Sequence, residues 1–156
     1  MRCYLVRHGD ALPAYTDPER PLSARGRKEV ALLGQLAAER GVVVAQICHS
    51  GIRRARETAE RLAESLKPAR GVREIGGLLP EDDPEIGKAE LALLYEPVMW
   101  VGHLPYMDRL AALLVGDGGE RPPIAFWPAT MLCFSKVEAR WEIEWCLVPE
   151  LDRKRS

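Results

Sequence analysis

A three-layer α/β sandwich, with a mostly parallel central sheet and an antiparallel hairpin at its C-terminal end, is the fold predicted by this chain of 156 residues. Three observations carry that expectation. Short apolar runs alternate with segments of helical period as far as Leu114, the order in which crossover helices join parallel strands. The first run, Cys3-Tyr4-Leu5-Val6, is apolar without a break, as in a strand covered on both faces. The last stretch instead alternates Trp141, Ile143 and Trp145 with Glu142 and Glu144, the pattern of an antiparallel strand.

The elements follow in order. After the first strand, residues 10–22 are rich in Pro and Asp and read as a loop. Ser23 can cap a helix over about 24–39, whose stripe of Val30, Leu33, Leu36 and Ala37 ends at Gly41. Val42 to Cys48 reads as the second strand and Ser50 as the N-cap of a second helix, with Ile52, Ala55, Ala59, Leu62 and Leu66 at helical spacing. A short strand at Val72–Glu74 precedes a loop with Glu81, Asp82 and Asp83, then a modest helix over about 84–94. Val98-Met99-Trp100-Val101 is the next strand, and Pro105 suits the first turn of the helix carrying Leu110, Leu113 and Leu114. Three glycines and three prolines make 116–128 a loop, before the hairpin of Met131–Val137 and Trp141–Val148.

A hydrophobic share of 47% in one run of this length suits a single domain over residues 1–156. Net charge is −1, with 22 basic and 23 acidic residues, so no global field recruits nucleic acid or an anionic membrane. No run approaches the ~18 apolar residues of a membrane span, and no secretory leader is legible, which predicts a cytoplasmic protein. Cys3, Cys48, Cys133 and Cys146 lie in apolar runs without paired spacing and read as buried free thiols rather than metal ligands. The basic tail Arg153-Lys154-Arg155 reads as solvated.

Four residues suited to phosphate sit at or just beyond strand ends: Arg7 and His8 before Gly9, Arg54 early in the second helix, and His103 after Gly102. The carboxyl ends of buried strands are where α/β sheets place their ligands. Arg7 and Arg54 each offer a planar fork for phosphoryl oxygens, which lysine does not. Nearby guanidiniums lower the affinity of His8 for a proton and keep a lone pair free, as a nucleophile requires. Arg53 and Arg56 compete with Arg54, and helical phase favours Arg54 because it shares a face with Thr58 and not with the apolar stripe. Gly9, without a Cβ, allows a sharp turn and a close approach. The structural alternatives are an ion pair at a strand end for Arg7 and His8, a solvated helix face for Arg54, and a satisfied core residue for His103. His49 reads as a neighbour without a role.

Arg7-His8-Gly9, Arg54 in its R-A-x-E-T context and the distal Gly102-His103 resemble the histidine phosphatase, or phosphoglycerate mutase-like, superfamily. Asp17-Pro18-Glu19-Arg20-Pro21-Leu22-Ser23 and His103-Leu104-Pro105 are similar to stretches of the SixA-type phosphohistidine phosphatases within it. The resemblance implies a phosphoglycerate mutase-like fold, His8 as phosphoryl acceptor, and Arg7, Arg54 and His103 as the residues that hold the phosphate, with no metal or other cofactor. It also marks Asp17, Arg20 and Ser23 as a candidate substrate loop. The proton donor of the family has no clear counterpart: Glu81, Asp82 and Asp83 are candidates in the right region, and a solvated acidic loop is the alternative. A weak donor favours phosphohistidine, whose imidazole leaves readily, over an alkyl phosphate. Only 43 residues separate Thr58 from Gly102, which leaves little room for a covering insertion and favours a histidine-phosphorylated protein as partner. Phe126 and Trp127 could form a docking platform, or pack the sheet edge. A small-molecule phosphomonoesterase and a catalytically silent phosphoprotein-binding module are the competing functions.

Overall fold

In the computed structural model, which describes residues 1–116 and 124–151, six strands form one mixed sheet. The basic tail at 153–155 and the middle of the 116–128 loop lie outside the described residues. In chain order the elements are β1 (Arg2–Arg7), α1 (Ala24–Glu39), β2 (Gln46–His49), α2 (Arg53–Leu66), β3 (Val72–Glu74), α3 (Pro84–Leu93), β4 (Val98–Gly102), α4 (Tyr106–Val115), β5 (Met131–Val137) and β6 (Arg140–Leu147). Across the sheet the order is β3-β2-β4-β1-β5-β6. The first four strands are mutually parallel, and β5 and β6 add the antiparallel pair.

Layering follows from the pleat of β1. Tyr4 and Val6 point to one face, where α1 and α2 cover them with Val30, Leu33, Ala59 and Leu62. Cys3 and Leu5 point to the other, where α3 and α4 supply Leu91, Tyr106, Met107 and Leu110. Burial on both faces is why β1 and β4 are unbroken apolar runs. Complete burial of Val30 and Leu33 contributes about 1.5–3 kcal/mol each and holds α1 to the sheet.

Helix α1 begins and ends as expected: the Ser23 hydroxyl accepts from Gly26 N–H at 2.9 Å, and Gly41 follows the C-cap with φ +79°. Other boundaries differ for identifiable reasons. Residues 42–45 do not join β2; Val42 and Val44 are buried while Val43 is 73% exposed, so the segment alternates without a ladder. The N-cap of α2 is Ile52, not Ser50, and it makes no side-chain cap bond. Pro105 is itself the N-cap of α4 and lies just before its first turn. In the hairpin, a bulge opposite Cys133 and Phe134 interrupts the register, pairing Phe134 with Ile143 but Cys133 with Trp145. Because one extra residue reverses the facing of everything beyond it, Trp141 and Ile143 join the α3/α4 side while Trp145 packs on Tyr4, ring centroids 5.9 Å apart. The single-faced stripe expected from the sequence is therefore split between two layers.

Candidate active site

Parallel alignment brings the carboxyl ends of β1, β4 and β2 side by side. His8 N–H donates to Gly102 O at 3.0 Å, tying the residue after β1 to the last of β4. Ala129 N–H donates back to the Arg7 and His8 carbonyls, at 3.1 and 3.2 Å, closing the rim from the loop before β5. His8 and His103 lie in it with ring centroids 5.1 Å apart, 8% and 1% exposed.

Four hydrogen bonds form a ring of one sense around His8. Its Nδ1–H donates to Gly9 O at 2.7 Å, Gly9 N–H donates to Thr58 Oγ1 at 3.0 Å, the Thr58 hydroxyl donates to Arg54 O at 2.7 Å, and Arg54 Nε–H donates to His8 Nε2 at 3.4 Å. A carbonyl can only accept, so the proton of neutral His8 is on Nδ1 and the lone pair is on Nε2, facing the guanidinium. Burial lowers the His8 pKa to about 4 against the Gly9 bond, with smaller contributions from Arg54, Arg7 and Arg20. The sequence reading has the right direction, but burial outweighs the arginines as its cause. His103 is pushed to about 3, again by burial first, then by His8, Arg54 and Arg7. Both rings are neutral in the unliganded site near pH 7.

The guanidiniums are held differently. Arg7 Nη1 donates to Phe126 O at 2.9 Å, while its Nε is buried without a hydrogen-bond partner among the described residues. Burial lowers the proton affinity of Arg7 against the opposing charge of Asp108. Among the three candidate arginines at the start of α2, Arg53 pairs with Glu19 at 2.7 Å and Glu57 at 3.3 Å, and Arg56 with Glu60 at 3.4 Å, whereas Arg54 reaches His8.

The loop at 17–23 is a built turn. Asp17 accepts from Glu19 N–H through Oδ1 and from Arg20 N–H through its carbonyl, at 3.0 and 2.9 Å. Arg20 sits in the left-handed region, φ +47°, its Nε donating to Leu12 O at 3.0 Å, and its charge is felt by both His8 and Arg54. Ser23 is committed to the α1 cap and to Asp10 Oδ2, to which it donates at 2.6 Å. Of the acidic candidates, Asp83 caps α3 by accepting from Glu85 N–H at 2.9 Å, Asp82 accepts from Leu79 N–H at 2.8 Å, and Glu81 meets Arg109 at 3.4 Å on the surface. Arginines, not carboxylates, are the charged side chains acting on His103. Gly9 is needed for packing and not for a turn: a Cβ there would meet Val30 Cγ2 at 2.6 Å and Gly26 O at 3.3 Å, so helix α1 is the neighbour that requires glycine.

Phe126 is core, 4% exposed, and Trp127 alone stands out at 64%. His49 accepts from Gly51 N–H at 3.0 Å and shapes the turn after β2. The thiols of Cys3, Cys48 and Cys133 are free and buried, Cys146 is free and half-buried, and no group of three or more potential metal ligands occurs among the described residues. Two participants escaped the sequence reading. Thr58 closes the ring around His8, a role signalled by its i, i+4 relation to Arg54. Ser50 lies 2.7 Å from His103 Nε2, a contact across 53 residues that no local pattern announces.

The comparisons with known proteins agree with this geometry. The model of the histidine phosphatase superfamily (branch 1) matches residues 3–78. The phosphohistidine phosphatase SixA of Escherichia coli K12 is 30% identical over 129 residues, 80% of this chain and 79% of its own. The structure of the protein histidine phosphatase SixA complexed with tungstate superposes with TM-score 0.85 at 28% identity, covering 96% of this chain and 97% of the other. A SixA-type structure from Agrobacterium tumefaciens shares the fold with TM-score 0.79 at 24% identity, over 96% and 98% of the two chains. The phosphoglycerate mutase-like architecture and a SixA relative matched over most of both lengths lead to one conclusion: the chain belongs to the histidine phosphatase superfamily and is a phosphatase.

Proposed function

We propose that this phosphatase hydrolyses phosphohistidine on a protein partner, such as a histidine-containing phosphotransfer domain, through a phosphorylated His8 and without a metal ion. The observation that carries this reading is the ring of hydrogen bonds that leaves the His8 Nε2 lone pair facing Arg54. In the first step Nε2 attacks phosphorus, the N–P bond to the substrate imidazole breaks, and that imidazole departs neutral, keeping the proton already on its other ring nitrogen. In the second, water attacks phospho-His8, the Nε2–P bond breaks, and inorganic phosphate leaves. Arg7, Arg54 and His103 hold the phosphoryl oxygens, and fixed positive charge in a buried site stabilises the charge of the transition state. Arg20 contacts the substrate from the 17–23 turn.

The substrate class is supported by what the carboxylates are doing. Asp83 and Asp82 accept backbone bonds and Glu81 faces Arg109, so none is a ready donor to a leaving alkoxide. An imidazole leaving group needs such a donor least. The E. coli relative, by its name, is a phosphohistidine phosphatase. We read residues 1–156 as one domain acting in the cytoplasm; no helix among the described residues is long and apolar enough to cross a membrane.

Phosphate release from a histidine-phosphorylated phosphotransfer domain, measured beside sugar and aryl phosphates with a chelator present, tests the proposal. The expected result is turnover of the phosphoprotein that is insensitive to chelation and faster than that of the esters. Preference for a small ester by orders of magnitude would assign a small-molecule phosphomonoesterase, and loss of turnover on chelation would overturn metal independence.

A further inference from the structure

Ser50 stands where a helix cap is expected, yet Ile52 is the N-cap of α2 and the Ser50 hydroxyl serves elsewhere. Its Oγ accepts from Ile52 N–H at 3.2 Å and lies 2.7 Å from His103 Nε2. Ser50 and His103 are both buried, 9% and 1% exposed, and His103 Nδ1 is buried without a partner among the described residues. A hydroxyl has one hydrogen to give, and a neutral imidazole has one N–H and one lone pair. Two arrangements are therefore available. If His103 Nε2–H donated to Ser50, the oxygen would accept twice, its own hydrogen would lack an acceptor among the described contacts, and Nδ1 would present a bare, buried lone pair. If Ser50 O–H donates to Nε2, the hydroxyl is matched on both sides and only the Nδ1–H is left open. The second arrangement leaves one unmatched group where the first leaves two, and buried polar groups are seldom left unmatched.

We propose that Ser50 is a positioning residue: its hydroxyl donates to His103 Nε2, fixes the proton on Nδ1, and so holds that N–H ready as a donor to a phosphoryl oxygen. The two histidines then hold opposite duties through two second partners. The Gly9 carbonyl makes His8 a lone-pair donor at Nε2, and the Ser50 hydroxyl makes His103 a proton donor at Nδ1. The role of Nδ1–H toward phosphate rests on the phosphatase reading above, whereas the position of the proton does not.

Long-range proton–nitrogen correlation spectra of histidine-labelled protein read the tautomer directly, and the chain has 3 histidines to assign. The expected pattern for His103 is a protonated Nδ1 and an unprotonated Nε2 in the wild type and in Ser50→Thr, with a mixed or inverted pattern in Ser50→Ala. Titration with inorganic phosphate should shift His103 Nδ1–H most, and kcat of Ser50→Ala should fall about tenfold, the worth of one hydrogen bond, with recovery in Ser50→Thr. A wild-type His103 protonated on Nε2, or a Ser50→Ala spectrum with the wild-type tautomer, overturns the proposal. The wild-type spectrum decides by itself if Ser50→Ala fails to fold. A protein with the expected tautomer but no turnover of any phosphorylated substrate would refute the phosphatase reading while leaving this one standing.

Discussion

Thr58→Val tests whether the ring around His8 does chemistry or only packs. Valine matches threonine in shape, so no cavity opens at this fully buried position, and only the hydroxyl is lost. Gly9 N–H, buried and bonded to Thr58 Oγ1 at 3.0 Å, then has no acceptor. An orphaned buried donor costs about 1–3 kcal/mol, which sets the expected loss of stability in urea denaturation. Gly9 is also the residue whose carbonyl keeps the His8 proton on Nδ1. Once Gly9 is free to shift, that bond, worth about 1–2 kcal/mol, weakens, and the tautomer with a protonated, non-nucleophilic Nε2 becomes populated. With ~1.4 kcal/mol per factor of ten, kcat should fall about 5- to 30-fold. KM should change less, because Arg7, Arg54 and His103 are untouched. Thr58→Ser keeps the hydroxyl and should retain nearly full kcat while losing about 1 kcal/mol of stability with its buried methyl. Steady-state phosphate release and urea midpoints on both variants separate the effects. If Thr58→Val loses the expected stability but keeps kcat within twofold, the ring is architecture and the argument for a tautomer lock is wrong.

Other expectations follow from the same geometry. Arg54→Lys removes the Nε–H facing His8 and the planar fork, so kcat/KM should drop by about a hundredfold or more; Arg53→Ala, which breaks an exposed pair with Glu19 and a half-buried one with Glu57, should leave both stability and turnover close to wild type. Equal losses in the two variants would show that the wrong arginine has been assigned. The pKa of His8, about 4 in the fold, lies below the ordinary imidazole value of 6.5, so the unfolded chain takes up the proton first. Its stability contribution is therefore complete above pH 6.5, is lost as pH falls from there toward 4, and is constant below, at most ~1.4 kcal/mol per pH unit. Urea midpoints should decline between pH 7 and pH 5 and decline less in His8→Asn; parallel slopes would contradict the buried neutral imidazole. Gly26→Ala would drive a methyl into the Asp10 backbone beside the site, and should cost about 2–4 kcal/mol in denaturation experiments. A loss below about 0.5 kcal/mol would mean that the loop at Asp10 yields freely.

What could be read from the chain was whatever local pattern encodes. Helix α1 was legible because Ser23 and Gly41 mark its two ends, and β1 and β4 because burial on both faces leaves no polar residue in the run. The four phosphate-directed residues were legible because each stands at a strand end or in the first turn after one. The split of Trp141 from Trp145 was not, since the bulge depends on how β6 meets β5 and leaves no mark in the alternation. Ser50 misled because serine before a helix has a strong local reading, while its partner His103 arrives from another strand. Glu57 likewise accepts from Leu22 N–H at 2.8 Å, pinning the 17–23 turn to α2 through a contact that sequence separation conceals.

These nonlocal contacts share a property that bears on how the site is built. Each residue proposed to hold phosphate is fixed by a partner on a different element: Arg54 and Thr58 of α2 and Gly9 beyond β1 surround His8, Ser50 after β2 meets His103 after β4, and Phe126 before β5 holds Arg7. The aim of the site is thus set by the register of β1, β2 and β4 together, and not by any one loop. Such an arrangement holds charge in place before substrate arrives, which is where electrostatic catalysis draws its advantage. It also makes the chemistry sensitive to the sheet: a substitution that shifts β4 against β1 moves His103 relative to His8 without touching either ring. The short 43-residue connection between Thr58 and Gly102 fits the same logic, because a site prearranged by strand register needs no closing segment to assemble it. An uncovered site is what the proposed phosphohistidine substrate on a protein partner requires.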